Sequence, residues 1–176
     1  MAESFRSARI LARPVTEADA PEIAGIYEGN RELLVLLDRE SDPLVLTRRF
    51  TLRENLPPKV PSTGLHNLIL CDVRSEDPIG LLSLCVGYPM KNVAYIGELF
   101  LHPDHQGAGL GREICRRLEA LLRLGPARYI RVGVGLKNWN ALRFWIRLGY
   151  AQITGMSGDR HFTPKGHAFL ELQKNL

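Results

Sequence analysis

Six consecutive residues, Gln106-Gly107-Ala108-Gly109-Leu110-Gly111, place three glycines where a helix begins. A helix N-terminus presents N–H groups without helical partners and the positive end of the macrodipole, so it favours a phosphate. Glycine removes the side chains that would block its approach and permits unusual φ. Taken alone, such a run is also consistent with a turn that simply packs closely. Two phosphate motifs are excluded. A P-loop needs Lys-Ser/Thr after its last glycine, and Arg112-Glu113 stands there. A dinucleotide fingerprint starting at Gly107 needs glycine at the position of Arg112. Just upstream, the run 93–101 is apolar and aromatic except for one acid, Glu98. A carboxylate there can take a proton from a reacting group; the bland alternative is a solvated or salt-bridged glutamate at a strand end.

The elements that must position these residues follow from periodicity. Residues 93–101 read as a buried strand, stopped by Pro103. Glu98 is expected on one face with Ile96 and Phe100, buried between them, where desolvation disfavours charge. From Leu110 the apolar residues Ile114, Leu118, Leu121 and Leu122 fall at helical spacing. Glu113 with Arg117, and Glu119 with Arg123, are expected as i,i+4 pairs on the opposite, solvated face.

A second motif lies about thirty residues downstream, Asn138-Trp139-Asn140-Ala141-Leu142-Arg143-Phe144-Trp145-Ile146-Arg147-Leu148-Gly149-Tyr150. It is similar to the N-x-x-A-x-x-[FL]-Y-x-x-x-G-[FY] pattern of the GCN5-related N-acetyltransferases. Gln106 to Gly111 matches that family's Q/R-x-x-G-x-G/A signature. The resemblance covers about residues 10–172, with sharp motifs only after Val93. It implies acetyl-CoA as acyl donor, with its pyrophosphate on the backbone of Gly107, Ala108, Gly109, Leu110, Gly111 and Arg112, headed by Gln106. It also implies a strand bulge that frees main-chain donors around Leu99, Phe100 and Leu101 for the thioester carbonyl. Asn138 matches the position that contacts the pantetheine arm, with Ala141 one turn on; Asn138 also reads as a helix N-cap, a role compatible with binding. Glu98 takes the place of a general base.

One departure stands out. The family's usual general acid is a tyrosine seven residues after the motif asparagine, and that position is Trp145. An indole N–H does not titrate usefully, so the thiolate leaves unassisted or through water. Tyr150 aligns with a packing aromatic. The reading is therefore an acetyl-CoA-dependent N-acetyltransferase acting on a primary amine by direct attack in a ternary complex. An acyl-CoA-binding module with weak or no transferase activity stays open, as does a generic nucleotide-phosphate binder.

The rest of the chain agrees with one domain spanning residues 1–176. The expected fold is α/β, a mixed, mainly antiparallel sheet of six or seven strands flanked by helices and split between the fourth and fifth. Strands are expected at 10–14, 68–73, 79–86, 93–101, 128–134, 150–153 and 168–172, the second to fourth forming a meander. Helices are expected after Thr16, with Ile23, Ile26 and Tyr27 inward and an interruption at Gly29 and Asn30, at 33–37 and from Asp42-Pro43 to about Asn55. These sit where the family places its acceptor wall, although helices that merely cover the sheet would look the same. Residues 59–64 read as a mobile loop and 155–166 as a polar loop. Residues 138–148 read as a helix.

Charge is divided unevenly. The first ninety residues carry 10 Lys/Arg and 13 Asp/Glu, and the remainder 13 and 6. The basic half is the half with the glycine loop, which suits a polyanionic cofactor. No basic run with interleaved aromatics points to nucleic acid, and no window approaches the roughly 18 apolar residues of a membrane span. Cys71, Cys85 and Cys115 sit in apolar runs and read as core residues, and the five histidines show no common metal spacing, so no metal is expected. His102, beside Pro103 in a surface loop, is compatible with a place near the acetyl end of the site and with the commoner role of a solvated loop histidine. The N-terminus has no signal-peptide core, so the default compartment is cytoplasmic. The expected partners are acetyl-CoA and an amine, with a homodimer left open.

Overall fold

The computed structural model describes residues 4–37, 40–57, 60–161 and 163–176. Pro58 and Lys59, expected at a helix end and in a loop, and Phe162 lie outside the described residues. Among the described residues eight strands make one sheet: β1 (Phe5–Arg6), β2 (Ile10–Pro14), β3 (Leu65–Asp72), β4 (Pro78–Val86), β5 (Val93–Leu101), β6 (Tyr129–Gly135), β7 (Gln152–Gly158) and β8 (Ala168–Asn175). Their spatial order is β1-β2-β3-β4-β5-β6-β8-β7, and every pairing is antiparallel except β5 with β6. The expected meander is present. The eighth strand is β1, only two residues long, where Phe5 faces Ala12 and its ring is buried.

Helices lie on both faces: α1 (Ala20–Gly29), α2 (Arg31–Leu36) and α3 (Pro43–Thr51) come before β3, α4 (Leu110–Leu122) follows β5, and α5 (Trp139–Arg147) follows β6. Asp42 caps α3 by accepting from the Leu44 N–H at 2.9 Å. That helix stops four residues before the expected Asn55, because Leu52 and Arg53 turn out of it, Arg53 at φ 59°. The two faces give two cores. Ile23, Ile26, Tyr27 and Phe50 pack on Ile69 and Leu81 on one side. Leu110, Ile114, Leu118 and Trp145 pack on Leu82, Ile96 and Val132 on the other. A fully buried Ile or Leu among these contributes about 1.5–3 kcal/mol relative to exposure.

Two expectations about α4 are corrected. Glu119 is 3 % exposed rather than solvated: the Lys174 ammonium donates to its Oε2 at 2.6 Å and the Tyr150 hydroxyl to Oε1 at 3.3 Å, with Arg123 at 3.8 Å. A buried carboxylate is stable only with such partners. Glu113 turns away from Arg117 to Arg9, whose Nε donates to it at 2.8 Å, while Arg117 donates to the Arg6 carbonyl. At the C-terminus β7 runs to Gly158, into the expected polar loop, because its backbone pairs with β8 as far as Ala168.

The sheet opens in its centre. β5 and β6 pair only over Val93–Ile96 and Tyr129–Val132, and β6 continues against β8 as far as Gly135 opposite Phe169. This is the split expected between the fourth and fifth sequence strands.

Candidate active site

The opening between β5 and β6 begins with a bulge. Ser83 faces Glu98, but the next residue, Leu84, faces Ile96, so Gly97 is the extra residue. The pleat changes phase across it. Ile96 joins the core under α4 and α5, whereas Phe100 packs with α1 and α3. The expectation that Ile96, Glu98 and Phe100 share one face is thereby corrected: Glu98 lies on the Phe100 side. Glu98 is half-buried there, and the Tyr27 hydroxyl donates to its Oε2 at 2.7 Å.

Beyond the bulge the alternation of an antiparallel pair fixes where the backbone points. The His102 N–H donates to the Ile79 carbonyl at 2.9 Å, so positions 102, 100 and 98 face β4. Leu99 and Leu101 then turn their N–H and C=O groups toward the side that β6 has left. Phe100, the third residue expected to offer a donor, turns its backbone groups to Leu81 instead. The Leu101 carbonyl accepts from Gln106 Nε2 at 2.9 Å and from Asn30 Nδ2 at 3.1 Å.

The glycine loop closes one end of the opening. Gly107 has φ 75° and Gly109, which precedes α4, φ 80°, both left-handed. A Cβ on Gly107 would meet no atom within 4 Å, so that side of the loop is open to a ligand. Gly111 has a different reason to be glycine. A Cβ there would come within 3.2 Å of the Phe144 ring, so it lets α5 approach α4. The outside of the loop is held by the turn between β1 and β2. Arg9 Nη1 donates to the Ala108 carbonyl at 3.1 Å, its Nε and backbone N–H donate to Glu113 at 2.8 Å, and the Ser7 hydroxyl donates to Glu113 at 2.7 Å. Burial opposes ionisation of Glu113, but these donors outweigh it and hold the carboxyl below its usual range.

Together these elements line an open cleft of about 950 Å³. Of the residues expected to form a site, Glu98, Leu99, Phe100, Leu101, Gln106, Gly107, Gly109, Leu110, Gly111, Arg112, Asn138, Ala141 and Trp145 all line it; Ala108 does not. Its charges are divided. Arg112, Arg143 and Arg147 lie on α4 and α5, whereas Glu32 and Glu98 lie on α2 and β5. Asn138 caps α5, its Oδ1 accepting from the Ala141 N–H at 3.0 Å. His102 does not itself line the cleft: its ring sits against Gly29, which does, and it caps a short turn by accepting from the Asp104 N–H.

Trp145 is 5 % exposed and wedged edge-on between Phe144 and Tyr150, with ring centroids 4.9 Å away on both sides. Tyr150 is fully buried, and burial, with Cys115 and Glu119 adding to it, pushes its phenol pKa well up. Tyr150 does not line the cleft, and Trp145, which does, offers only an indole N–H that does not titrate usefully. The three cysteines are buried, and none lines the cleft. Three contributors escaped the sequence reading: Arg9, Tyr27 as the partner of Glu98, and Asn30. Tyr27 carried a signal, a phenol where an aliphatic would fill the core equally well. Asn30 showed only as a break between two helical runs.

Residues 34–150 match the family model described as the acetyltransferase (GNAT) family. An uncharacterized N-acetyltransferase of Methanocaldococcus jannaschii is 26 % identical over 93 residues, which are 51 % of this chain and 41 % of that protein. The chain thus matches about two-fifths of that relative's length. Among solved structures, an acetyltransferase from Thermus thermophilus superposes with a TM-score of 0.71 at 23 % identity, covering 98 % of this chain and all of that one. Spermidine N-acetyltransferase from Vibrio cholerae, in complex with CoA and spermine, gives 0.71 at 16 % identity over 96 % of each chain. The ribosomal-protein-S5-alanine acetyltransferase of Vibrio fischeri gives 0.70 at 16 % identity over 98 % of this chain and 96 % of that one.

Proposed function

The chain belongs to the acetyltransferase (GNAT) family, and from that premise we propose that it transfers an acetyl group from acetyl-CoA to a primary amine by direct attack. One observation carries the proposal. The β5–β6 split has outward-facing backbone groups at Leu99 and Leu101, a glycine loop at one end and a carboxylate on the opposite face. The backbone of Gly107 and the first turn of α4 suits the cofactor's pyrophosphate, since those N–H groups have no helical acceptor. Arg112, Arg143 and Arg147 add positive charge on the same wall. The Leu99 and Leu101 N–H groups are the donors for the thioester carbonyl, which gains negative charge as the amine adds.

Glu98 is the base. It removes a proton from the ammonium directly or through water, so that the neutral amine attacks the carbonyl carbon, the C–N bond forms and the C–S bond breaks. The Tyr27 hydroxyl holds its carboxylate in place. As the adduct collapses the nitrogen sheds its second proton, and the sulfur, leaving as thiolate, takes that proton up through water, because position 145 is a packed indole. No covalent acyl-enzyme is needed, which agrees with the burial of all three cysteines away from the cleft. Trp145 favours one competing reading, a CoA-binding module without turnover.

Acetyl-CoA consumption against spermidine, an alanine-terminated peptide, an amino sugar and phosphinothricin separates the two. The proposal expects stoichiometric CoA release and N-acetyl product with at least one of them. CoA binding without turnover on any amine would favour the module.

A further inference from the structure

Asn30 stands between α1 and α2 and is 5 % exposed. Its amide group meets three separate parts of the site. Nδ2 donates to the Ile26 carbonyl at 2.8 Å and to the Leu101 carbonyl at 3.1 Å, and Oδ1 accepts from Gln106 Nε2 at 3.3 Å. The orientation is unambiguous, because two carbonyls can only accept and so require the amino group. Gln106 donates from the same nitrogen to the Leu101 carbonyl at 2.9 Å. The last turn of α1, the end of β5 and the first residue of the glycine loop therefore meet at one buried amide.

The contact around it is close. A Cβ on Gly29 would fall 2.8 Å from Pro103 Cδ, so the end of α1 rests directly on the turn that follows β5. Beyond Asn30, α2 carries Glu32 and Leu33, and Leu37 follows; all three line the cleft. Leu37 reaches across to β6, its Cδ2 lying 2.5 Å from where a Gly135 Cβ would stand. Whatever fixes Asn30 therefore fixes the wall on the Glu98 side of the cleft.

We propose that Asn30 is a positioning residue that couples the cofactor loop to α2, so that CoA bound at the loop orders the wall facing the amine. This rests on the reading that the loop binds CoA. The route is contiguous: a ligand that immobilises Gln106 removes freedom from Asn30, and through it from the α1–α2 joint. Asn30→Ala deletes all three bonds. Asn30→Ser is the milder variant: its hydroxyl can still bond the Ile26 carbonyl four residues back, but it is too short to reach the Leu101 carbonyl and Gln106.

The test is hydrogen–deuterium exchange of the full chain with and without saturating CoA. In the unmodified protein CoA should slow exchange at 107–112 and, by about threefold or more, at 31–37. In Asn30→Ala and in Asn30→Ser the slowing at 31–37 should vanish while that at 107–112 persists. A residue that served only to stabilise the fold would raise exchange equally with and without CoA and leave the ligand-dependent difference intact. Slowing at 31–37 that survives both substitutions overturns the coupling, as does its absence from a protein whose loop is protected. Protection at neither segment would instead refute CoA binding at the loop, and the coupling with it.

Discussion

Gly109 offers the sharpest perturbation of the cofactor wall, because charge and strain can be separated there. Its φ of 80° penalises any side chain, but Asn and Asp tolerate this region best and are nearly isosteric. The strain is therefore common to Gly109→Asn and Gly109→Asp, and their difference reports the added charge. A unit charge about 4 Å from a phosphate is repelled by about 1 kcal/mol in water and about 4 kcal/mol at the effective dielectric of a protein surface. Arg9 Nη2 lies 3.8 Å from the position of the new Cβ and can pair with the added carboxylate, which offsets part of that repulsion. The net expectation is about 1–2 kcal/mol, or about 5- to 30-fold weaker CoA binding for Gly109→Asp than for Gly109→Asn. Isothermal titration of CoA into both variants measures it. Raising the salt should narrow the gap, and adding Arg9→Ala should widen it. Equal affinities in two folded variants would place the phosphates away from this loop.

Three further outcomes follow from the same geometry. Glu98→Gln should lower kcat/KM by about 10²- to 10⁴-fold with CoA affinity retained, and the pH–rate profile should lose its acidic limb; full activity would put the base elsewhere. Trp145→Phe should lower Tm through lost packing against Phe144 and Tyr150 while leaving the chemical step nearly unchanged, which a large fall in kcat at normal KM would contradict. Asp19 is held down to about 2, chiefly by the Arg13 guanidinium, whose two bonds to it are 2.6 and 2.9 Å. Because its folded value is depressed, its contribution is present above about pH 4 and lost as pH falls toward 2, so Asp19→Asn should cost about 2 kcal/mol at pH 7 and converge with the parent in acid. Denaturant unfolding at pH 7 and pH 2.5 checks this.

What was legible in the chain was what local pattern decides. The strand 93–101, the helix from Leu110 and the capping role of Asn138 depend on near neighbours, and the structure has all three. What was not legible depends on distant partners. Glu119 reads as a surface residue until Lys174, from the last strand, is folded against it. Asn30 reads as a helix break because its partner Gln106 is 76 residues away. The bulge at Gly97 cannot be placed by hydrophobicity, since residues on both faces of β5 are apolar and either phase looks acceptable. The extension of β7 is set by backbone pairing to β8, while its own side chains are largely exposed and lack an alternating pattern.

The central claim is that the split between β5 and β6, together with the glycine loop, is the CoA site. Backbone amide chemical shifts followed through a CoA titration address it directly. Large shifts are expected at the amides of Gly107 through Arg112 and, with acetyl-CoA, at Leu99 and Leu101, with β7 undisturbed. Saturable binding that leaves those amides unmoved and shifts another surface would contradict it.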